Sequence, residues 1–270
     1  MSISRQEFLS FRDFLKFRSG IALSDSKQYL VSNRLKPLME ESGLDSLSDL
    51  LSMIHAMPDD ALAIKAVDAM TTNETFWFRD GSHFNYLEST LFAELSRLNT
   101  SLRVWSAACS SGQEPYSISL SFDKCIDACG RLSHLKITAT DISDSVLNRA
   151  RDGVYTDLEL SRGLPNELKA RHFSGVKGGW QISQVHRSRV GFSKVNLLND
   201  FSKLGQFDII FCRNVLLYFS AETKLDILTR MIQTMKLGAY LFLSSSEILP
   251  PEVKGLQPVR VAGCKCYRKI

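Results

Sequence analysis

At four places in this 270-residue chain, polar residues stand in an order that neither helical nor strand periodicity demands. The run Thr71-Thr72-Asn73-Glu74-Thr75-Phe76-Trp77-Phe78-Arg79-Asp80 sets hydroxyls, an amide and a guanidinium around three aromatic rings. Thr72 or Asn73 could equally cap a helix, and Arg79 could pair with Asp80 at the surface. The run Val104-Trp105-Ser106-Ala107-Ala108-Cys109-Ser110-Ser111-Gly112-Gln113-Glu114-Pro115 passes from an apolar strand through small side chains into a helix that Pro115 starts. Small side chains let a ligand approach the backbone, and the carboxyl edge of a parallel sheet is where doubly wound folds bind nucleosides. The glycine fingerprint that cradles a pyrophosphate is missing, so a cofactor without phosphates fits better than a nicotinamide dinucleotide. In the third run, Ile137-Thr138-Ala139-Thr140-Asp141, a strand ends on a carboxylate. That group either accepts hydrogen bonds from both ribose hydroxyls or caps the next helix. The fourth, Phe207 through Cys212-Arg213-Asn214 to Tyr218-Phe219, is a buried strand that delivers Arg213 and Asn214 to the same edge. Tyr218 is either plain core or places its hydroxyl at the rim.

The elements that must hold these runs follow from periodicity. From about residue 102 short apolar strands alternate with helical segments, the pattern of a parallel α/β sheet. Strands are expected at 103–108, 136–140, 190–195, 207–212 and 239–244, with helices at 115–129 and 221–235. Residues 259–268 read as two short strands about Ala262-Gly263, an antiparallel edge. The stretch 155–188 is longer than a crossover needs, is rich in glycine, and carries a strand signal at 180–185, so something is inserted there. Ahead of all this, apolar residues recur at helical spacing: Phe8, Phe11, Phe14 and Leu15, then Leu30, Leu35, Leu38 and Met39, then Leu47, Leu50, Leu51 and Ile54. Pro58 suits the first turn of a fourth helix with Leu62, Ala66 and Met70. The expected division is a helical domain over 1–70, a linker and first catalytic helix over 71–101, and an α/β domain over 102–270 with its insertion at about 155–192. Lys27 and Arg34 fall on one face of the second helix, and Lys16 and Arg18 close the first. A solvated face and a docking surface for an acidic partner both account for them.

Composition excludes several classes. A formal charge of +4 is too slight to argue for nucleic acid. The longest apolar runs fall far short of the roughly 18 residues that span a bilayer. The N-terminus lacks the apolar stretch of a signal peptide, so a cytoplasmic location is expected. Cysteines at 109, 125, 129, 212, 264 and 266 lack C-x-x-C spacing, and Cys125 and Cys129, four apart on one helix, have no nearby His. Reduced, buried thiols and no metal site are expected.

Together the four runs resemble the CheR family of chemotaxis receptor methyltransferases. T-T-N-E-T-F-W-F-R, A-A-C-S-S-G-Q-E-P-Y-S, T-A-T-D-I-S and F-C-R-N-V-L-L-Y-F stand in the family's order and spacing. The likeness extends over nearly the whole chain, and the first and last motifs are highly specific. It implies a Rossmann-like S-adenosylmethionine methyltransferase domain, α/β in class, with a small inserted β-subdomain and a preceding all-α domain. It implies a cofactor site lined by Asn73, Thr75, Arg79, Ala107, Glu114, Asp141, Asn196, Leu197, Arg213 and Asn214, with Arg79 and Tyr218 nearest the reacting methyl. The implied reaction methylates glutamate side chains on the cytoplasmic helices of chemoreceptors and leaves S-adenosylhomocysteine. In some members the β-subdomain grips a pentapeptide tether at the receptor C-terminus. Here the Lys177-Gly178-Gly179-Trp180 loop looks shorter, and binding without a tether is expected. A monomer is expected, with no nucleic acid and no membrane insertion. A methyltransferase of RNA or small molecules would share the cofactor half of the site, but the first and last motifs argue against it. A non-catalytic cofactor- or receptor-binding module of the same fold is the other alternative, and the presence of Arg79, Asp141 and Tyr218 argues against it.

Overall fold

Ser4 opens the first helix with a reciprocal cap, its hydroxyl accepting from the Glu7 N–H while the Glu7 carboxylate accepts from the Ser4 N–H. In this computed structural model residues 3–97, 100–126 and 134–270 are described. Helix α1 (Arg5–Ser19) is followed by α2 (Gln28–Glu41), α3 (Leu47–Ala56) and α4 (Ala61–Met70). The apolar stripes read from the sequence close a core of their own around Phe11, Leu35, Leu50 and Ala66. Pro58 lies outside α4, which Asp60 precedes, because the chain first makes a turn. Lys27 sits in a 3-10 turn before α2, so it does not share a helix face with Arg34.

Helix α5 (Gly81–Tyr86) runs through a π-helical turn at Leu87–Leu91 into α6 (Phe92–Ser96). Then come β1 (Ser101–Ala107), α7 (Gln113–Cys125), β2 (His134–Asp141), α8 (Asp144–Asp152), β3 (Val154–Tyr155), α9 (Asp157–Ser161), α10 (Asn166–His172), β4 (Phe173–Val176), β5 (Gly179–Ile182), α11 (Gln184–Arg189) and β6 (Val190–Lys194). The chain closes with β7 (Phe207–Cys212), α12 (Ala221–Gln233), β8 (Met235–Leu243), β9 (Leu256–Val261) and β10 (Cys264–Lys269). Seven strands form one sheet in the order β6-β2-β1-β7-β8-β10-β9. The first five run parallel, and the hairpin of β9 and β10 adds an antiparallel edge against β8. Connections leave β1 toward β2 on one side and return through β7 on the other, which makes the carboxyl ends of β1 and β7 the switch point where such sheets bind ligands.

Alternation along the strands separates two cores. Val104, Ile209, Phe211 and Phe242 face the layer that holds α7, while Trp105, Ile210, Leu241 and Leu243 face the layer of α12. Helix α7 begins two residues before Pro115 with Gly112 as its N-cap, so the proline stands within the first turn rather than at its start. Cys129, and with it the end of the apolar stripe expected there, lies outside the described residues.

A second, antiparallel sheet in the order β3-β5-β4 forms the insertion, with α9, α10 and α11 around it. The strand expected at 180–185 stops at Ile182 because Ser183 starts α11. Residues from Val190 already pair with β2 in the main sheet, so the insertion ends before 192. Among the described residues no helix is long and apolar enough to cross a membrane.

Candidate functional site

A cavity of about 1010 Å³, counting its open mouth, lies where β1, β2 and β7 end, with Ser19, Ile21 and Met70 of the helical region forming part of its wall. Among the described residues, five non-glycine residues have positive φ, Phe78, Asp80, Ala108, Ser110 and Asn214, and all fall in the runs that build this cavity. Backbone in that region costs roughly 1–3 kcal/mol per residue unless its surroundings hold it. Side chains do so here. The Phe78 N–H donates to Ser117 Oγ at 3.1 Å, the Ser110 N–H to Asp141 Oδ2 at 2.9 Å, and the Asn214 N–H to Glu247 Oε2 at 3.0 Å.

Asp141 closes β2 inside the cavity wall. Its Oδ1 also accepts from the Ser143 N–H at 3.0 Å, and Ser143, not Asp141, is the N-cap of α8. The helix-cap alternative therefore does not hold, and the carboxylate stands at the cavity wall as an acceptor for a ligand hydroxyl. Burial raises the Asp141 pKa above its ordinary value, opposed by the N–H groups of Ser143 and Ser110.

Beside it stands a buried ion network. Arg213 donates through Nη1 to Glu114 Oε2 at 2.8 Å and through Nη2 to Asp80 Oδ2 at 3.0 Å and to the Arg79 carbonyl. Glu114 is further held by the Ser106 hydroxyl at 2.7 Å. Burial pushes the Glu114 carboxyl up, with Arg213 and Ser106 pulling it back. At the less enclosed Asp80 burial also opposes ionisation, but Arg213 overcomes it and leaves the pKa low. Arg213 and Glu114 line the cavity, yet both Nη groups are committed to protein acceptors, while the buried Nε has no partner among the described residues.

The remaining expected residues separate into wall and frame. Thr75 and Asn214 line the cavity, as does Asn73, whose amide donates to Thr71 Oγ1 at 2.9 Å and whose carbonyl accepts from Ser110 Oγ at 2.8 Å. Half-buried Arg79 lines it too, stacking over Phe76 at 5.3 Å and donating from Nη1 to the Glu74 carbonyl at 2.9 Å. Tyr218 reaches the wall from a short 3-10 turn, where its carbonyl accepts from the Ala22 N–H at 2.8 Å. Asn196 lines the cavity with Leu197, but its side chain is engaged elsewhere, donating to the Arg18 carbonyl at 2.7 Å and accepting from the Leu198 N–H at 3.0 Å. Ala107 is misplaced by the sequence expectation. Strand alternation turns it into the core with Trp105, and Ala108, where the backbone leaves the strand, takes its place in the wall.

Two residues outside the expected set shape the site. Glu247, 5% exposed, accepts from the N–H groups of Asn214, Val215, Leu216 and Ser244 at 2.9 to 3.0 Å, so one carboxylate folds the loop after β7. An acidic residue just past a parallel strand was the available signal, the same one that marked Asp141. Arg34 reaches from α2 to the carbonyls of Met70 and Thr71 at 2.7 and 2.9 Å and to Thr72 Oγ1 at 2.9 Å. It is a clamp on the segment that carries Asn73 rather than a free charge on a docking face. In the same segment Trp77 is fully buried against Tyr155 and Phe173, at ring separations of 5.0 and 5.4 Å.

Comparison with known proteins agrees with this geometry. Residues 73–262 match the family model described as CheR methyltransferase, SAM binding domain, and residues 6–71 match that described as CheR methyltransferase, all-alpha domain. The chain is 48% identical over 256 residues, 92% of each chain, to the Chemotaxis protein methyltransferase Cher2 of Pseudomonas putida. It is 48% identical over 254 residues, again 92% of each, to Chemotaxis protein methyltransferase 1 of Pseudomonas aeruginosa. A Chemotaxis protein methyltransferase of Vibrio parahaemolyticus is 45% identical over 251 residues, covering 92% of this chain and 91% of its own.

Proposed function

The chain belongs to the CheR methyltransferase family, and from that premise we propose that it esterifies glutamate side chains on the cytoplasmic helices of chemoreceptors, acting in the cytoplasm as a monomer. The observation that carries this reading is the make-up of one cavity. It holds Asp141 for a ribose, Arg79 and Tyr218 for a carboxylate, and no histidine in its wall among the described residues.

These residues fit S-adenosylmethionine: a carboxylate at the cavity wall ends β2, the glycine fingerprint of a phosphate cradle is missing from the β1–α7 turn, and among the described residues the buried Arg213 Nε lacks an acceptor. When bound, the cofactor supplies an electrophilic sulfonium methyl. Asp141 accepts from the ribose hydroxyls, while Asn73, Thr75, Glu114, Asn196, Leu197, Arg213 and Asn214 form the surrounding cofactor wall. Arg79 keeps Nε and Nη2 available beside the engaged Nη1, and one of them steers the substrate carboxylate. A single contact suits the chemistry better than a bidentate one, because a tightly held oxygen is a poorer nucleophile. The Tyr218 hydroxyl orients the attacking oxygen. Glutamate has an ordinary pKa near about 4.3 and arrives ionised, so the protein positions and desolvates the nucleophile rather than removing a proton. Phe76, Phe84, Val215 and Phe219 supply the apolar lining that excludes water.

Within this proposal the helical domain covers 1–70, a linker and the first catalytic helix 71–101, and the methyltransferase domain 102–270. The β4–β5 turn is only Lys177-Gly178, which supports receptor binding without a pentapeptide tether. Measurable affinity for a receptor C-terminal pentapeptide would overturn that point. The central experiment follows labelled methyl from S-adenosylmethionine into receptor membranes, for this protein and its Arg79→Ala variant. Base-labile label released as methanol, and lost in the variant, is the expected result. Cofactor binding without transfer would instead assign a binding module of the same fold.

A further inference from the structure

Three side chains outside the cavity bring unshared electron pairs together. His186, on α11, is fully buried, and its Nε2 stands 2.9 Å from Nδ1 of His172 at the end of α10 and 3.6 Å from Oδ2 of Asp123 on α7. All three atoms lie within 4.8 Å of one another. With the His186 proton on Nδ1, its bare Nε2 faces His172 Nδ1 and Asp123 Oδ2, each of which can offer a lone pair to the same point. We propose that Asp123, His172 and His186 bind a zinc-class divalent cation, which clasps the inserted β-subdomain to the helical layer of the catalytic sheet.

The spacing suits such an ion. With zinc–ligand bonds of about 2.0–2.2 Å, tetrahedral ligand atoms stand about 3.3–3.6 Å apart, so binding requires the imidazole nitrogens to separate by a few tenths of an ångström and keeps His172 and Asp123 well inside the 4.8 Å that bounds the cluster. The outer contacts suit it as well. His186 Nδ1 lies 2.8 Å from Ser119 Oγ, and donation there leaves Nε2 as the bare nitrogen. Arg189 holds the other oxygen of Asp123 at 2.5 Å, fixing the carboxylate with Oδ2 inward. Burial lowers the pKa of both imidazoles, which keeps them in the neutral form that ligates metals. His172 and Asp123 are half-buried, so water completes the coordination. The Arg189 charge opposes a cation, which makes the expected affinity micromolar rather than that of a permanently filled site. Cysteine spacing could not reveal this cluster, because its ligands come from three separate elements.

The test uses the full-length protein stripped with a chelator. Zinc chloride titrated by calorimetry is expected to bind at one equivalent and raise Tm by several degrees, whereas magnesium chloride does neither. Cobalt chloride is expected to give a visible d–d band. His172→Gln, at a half-buried position, is expected to keep the metal-free Tm, to lose at least about 10-fold in zinc affinity, and to lose the Tm response and the cobalt band. Asp123→Asn also weakens the Arg189 ion pair, so it is expected to lower the metal-free Tm and likewise to lose the zinc response and the band. Absence of zinc binding, or variants that respond as the parent does, would overturn the proposal and leave the cluster a hydrogen-bonded relay.

Discussion

Arg213 and Glu114 face each other across 2.8 Å with their side chains only 1% and 13% exposed, which joins the end of β7 to the start of α7 by an ion pair out of water. Neither charge has bulk solvent to fall back on. Breaking such a pair from one side strands the other charge, typically at about 3–5 kcal/mol. Arg213→Met is therefore expected to lower unfolding stability by that amount in urea titrations. Glu114→Gln keeps an acceptor for Arg213 and turns its amide toward the Ser106 hydroxyl, which can accept, while Asp80 still faces the guanidinium, so it is expected to lose less. Equal losses would mean that the Glu114 charge itself, rather than the Arg213–Asp80 contact, carries the network.

Glu247 accepts four backbone N–H groups, and no single uncharged side chain can replace it there. Glu247→Gln turns one acceptor into a donor facing N–H groups. A loss of about 1–3 kcal/mol follows from leaving buried donors unpaired. Because the same loop presents Arg213 and Asn214, weaker binding of S-adenosylhomocysteine should accompany it, as read by calorimetry.

Asp141 titrates in the direction that makes cofactor binding acid-sensitive. Its folded pKa lies above the ordinary aspartate value, so on acidification it takes up a proton sooner than an exposed aspartate would. The protonated group loses acceptor capacity toward a ribose. Affinity for S-adenosylhomocysteine should therefore fall on acidification, beginning above the pH at which an ordinary aspartate protonates. Asp141→Asn should bind weakly at every pH with a flat profile. An unchanged slope in the variant would assign the sensitivity to another group.

Arg34 and Lys27 separate framework from surface. Arg34→Ala removes three hydrogen bonds from the 70–72 segment and is expected to cost about 1.5–3 kcal/mol and several-fold in cofactor affinity. Lys27→Glu, at an exposed position, should leave cofactor binding and stability unchanged and raise only the KM for receptor membranes. A cofactor defect in Lys27→Glu would contradict this division.

Tyr218→Phe tests the hydroxyl without disturbing the ring. Cofactor Kd is expected to hold while kcat for methyl transfer falls at least about 10-fold, the mark of an interaction made mainly in the transition state.

Periodicity and local motif determined much of this protein before any coordinates. The strand at Phe207–Cys212 was legible to the residue, because a buried strand leaves a dense apolar run, here broken only by Asp208, ahead of the polar Arg213. The helical stripes of Phe8, Phe11 and Leu50 and the carboxylate that ends β2 were equally local facts. What tertiary structure decided is which polar groups face the ligand and which face each other. Arg213 and Arg34 look alike in sequence to free cations, yet each is bound by acceptors on distant elements. Ala107 and Ala108 are identical in type, and only the pleat and the turn after β1 assign one to the core and the other to the wall. Glu247 and the cluster of Asp123, His172 and His186 acquire their roles from strand order and helix docking. Short-range spacing does not encode such contacts, because the partners are brought together only when the sheet closes.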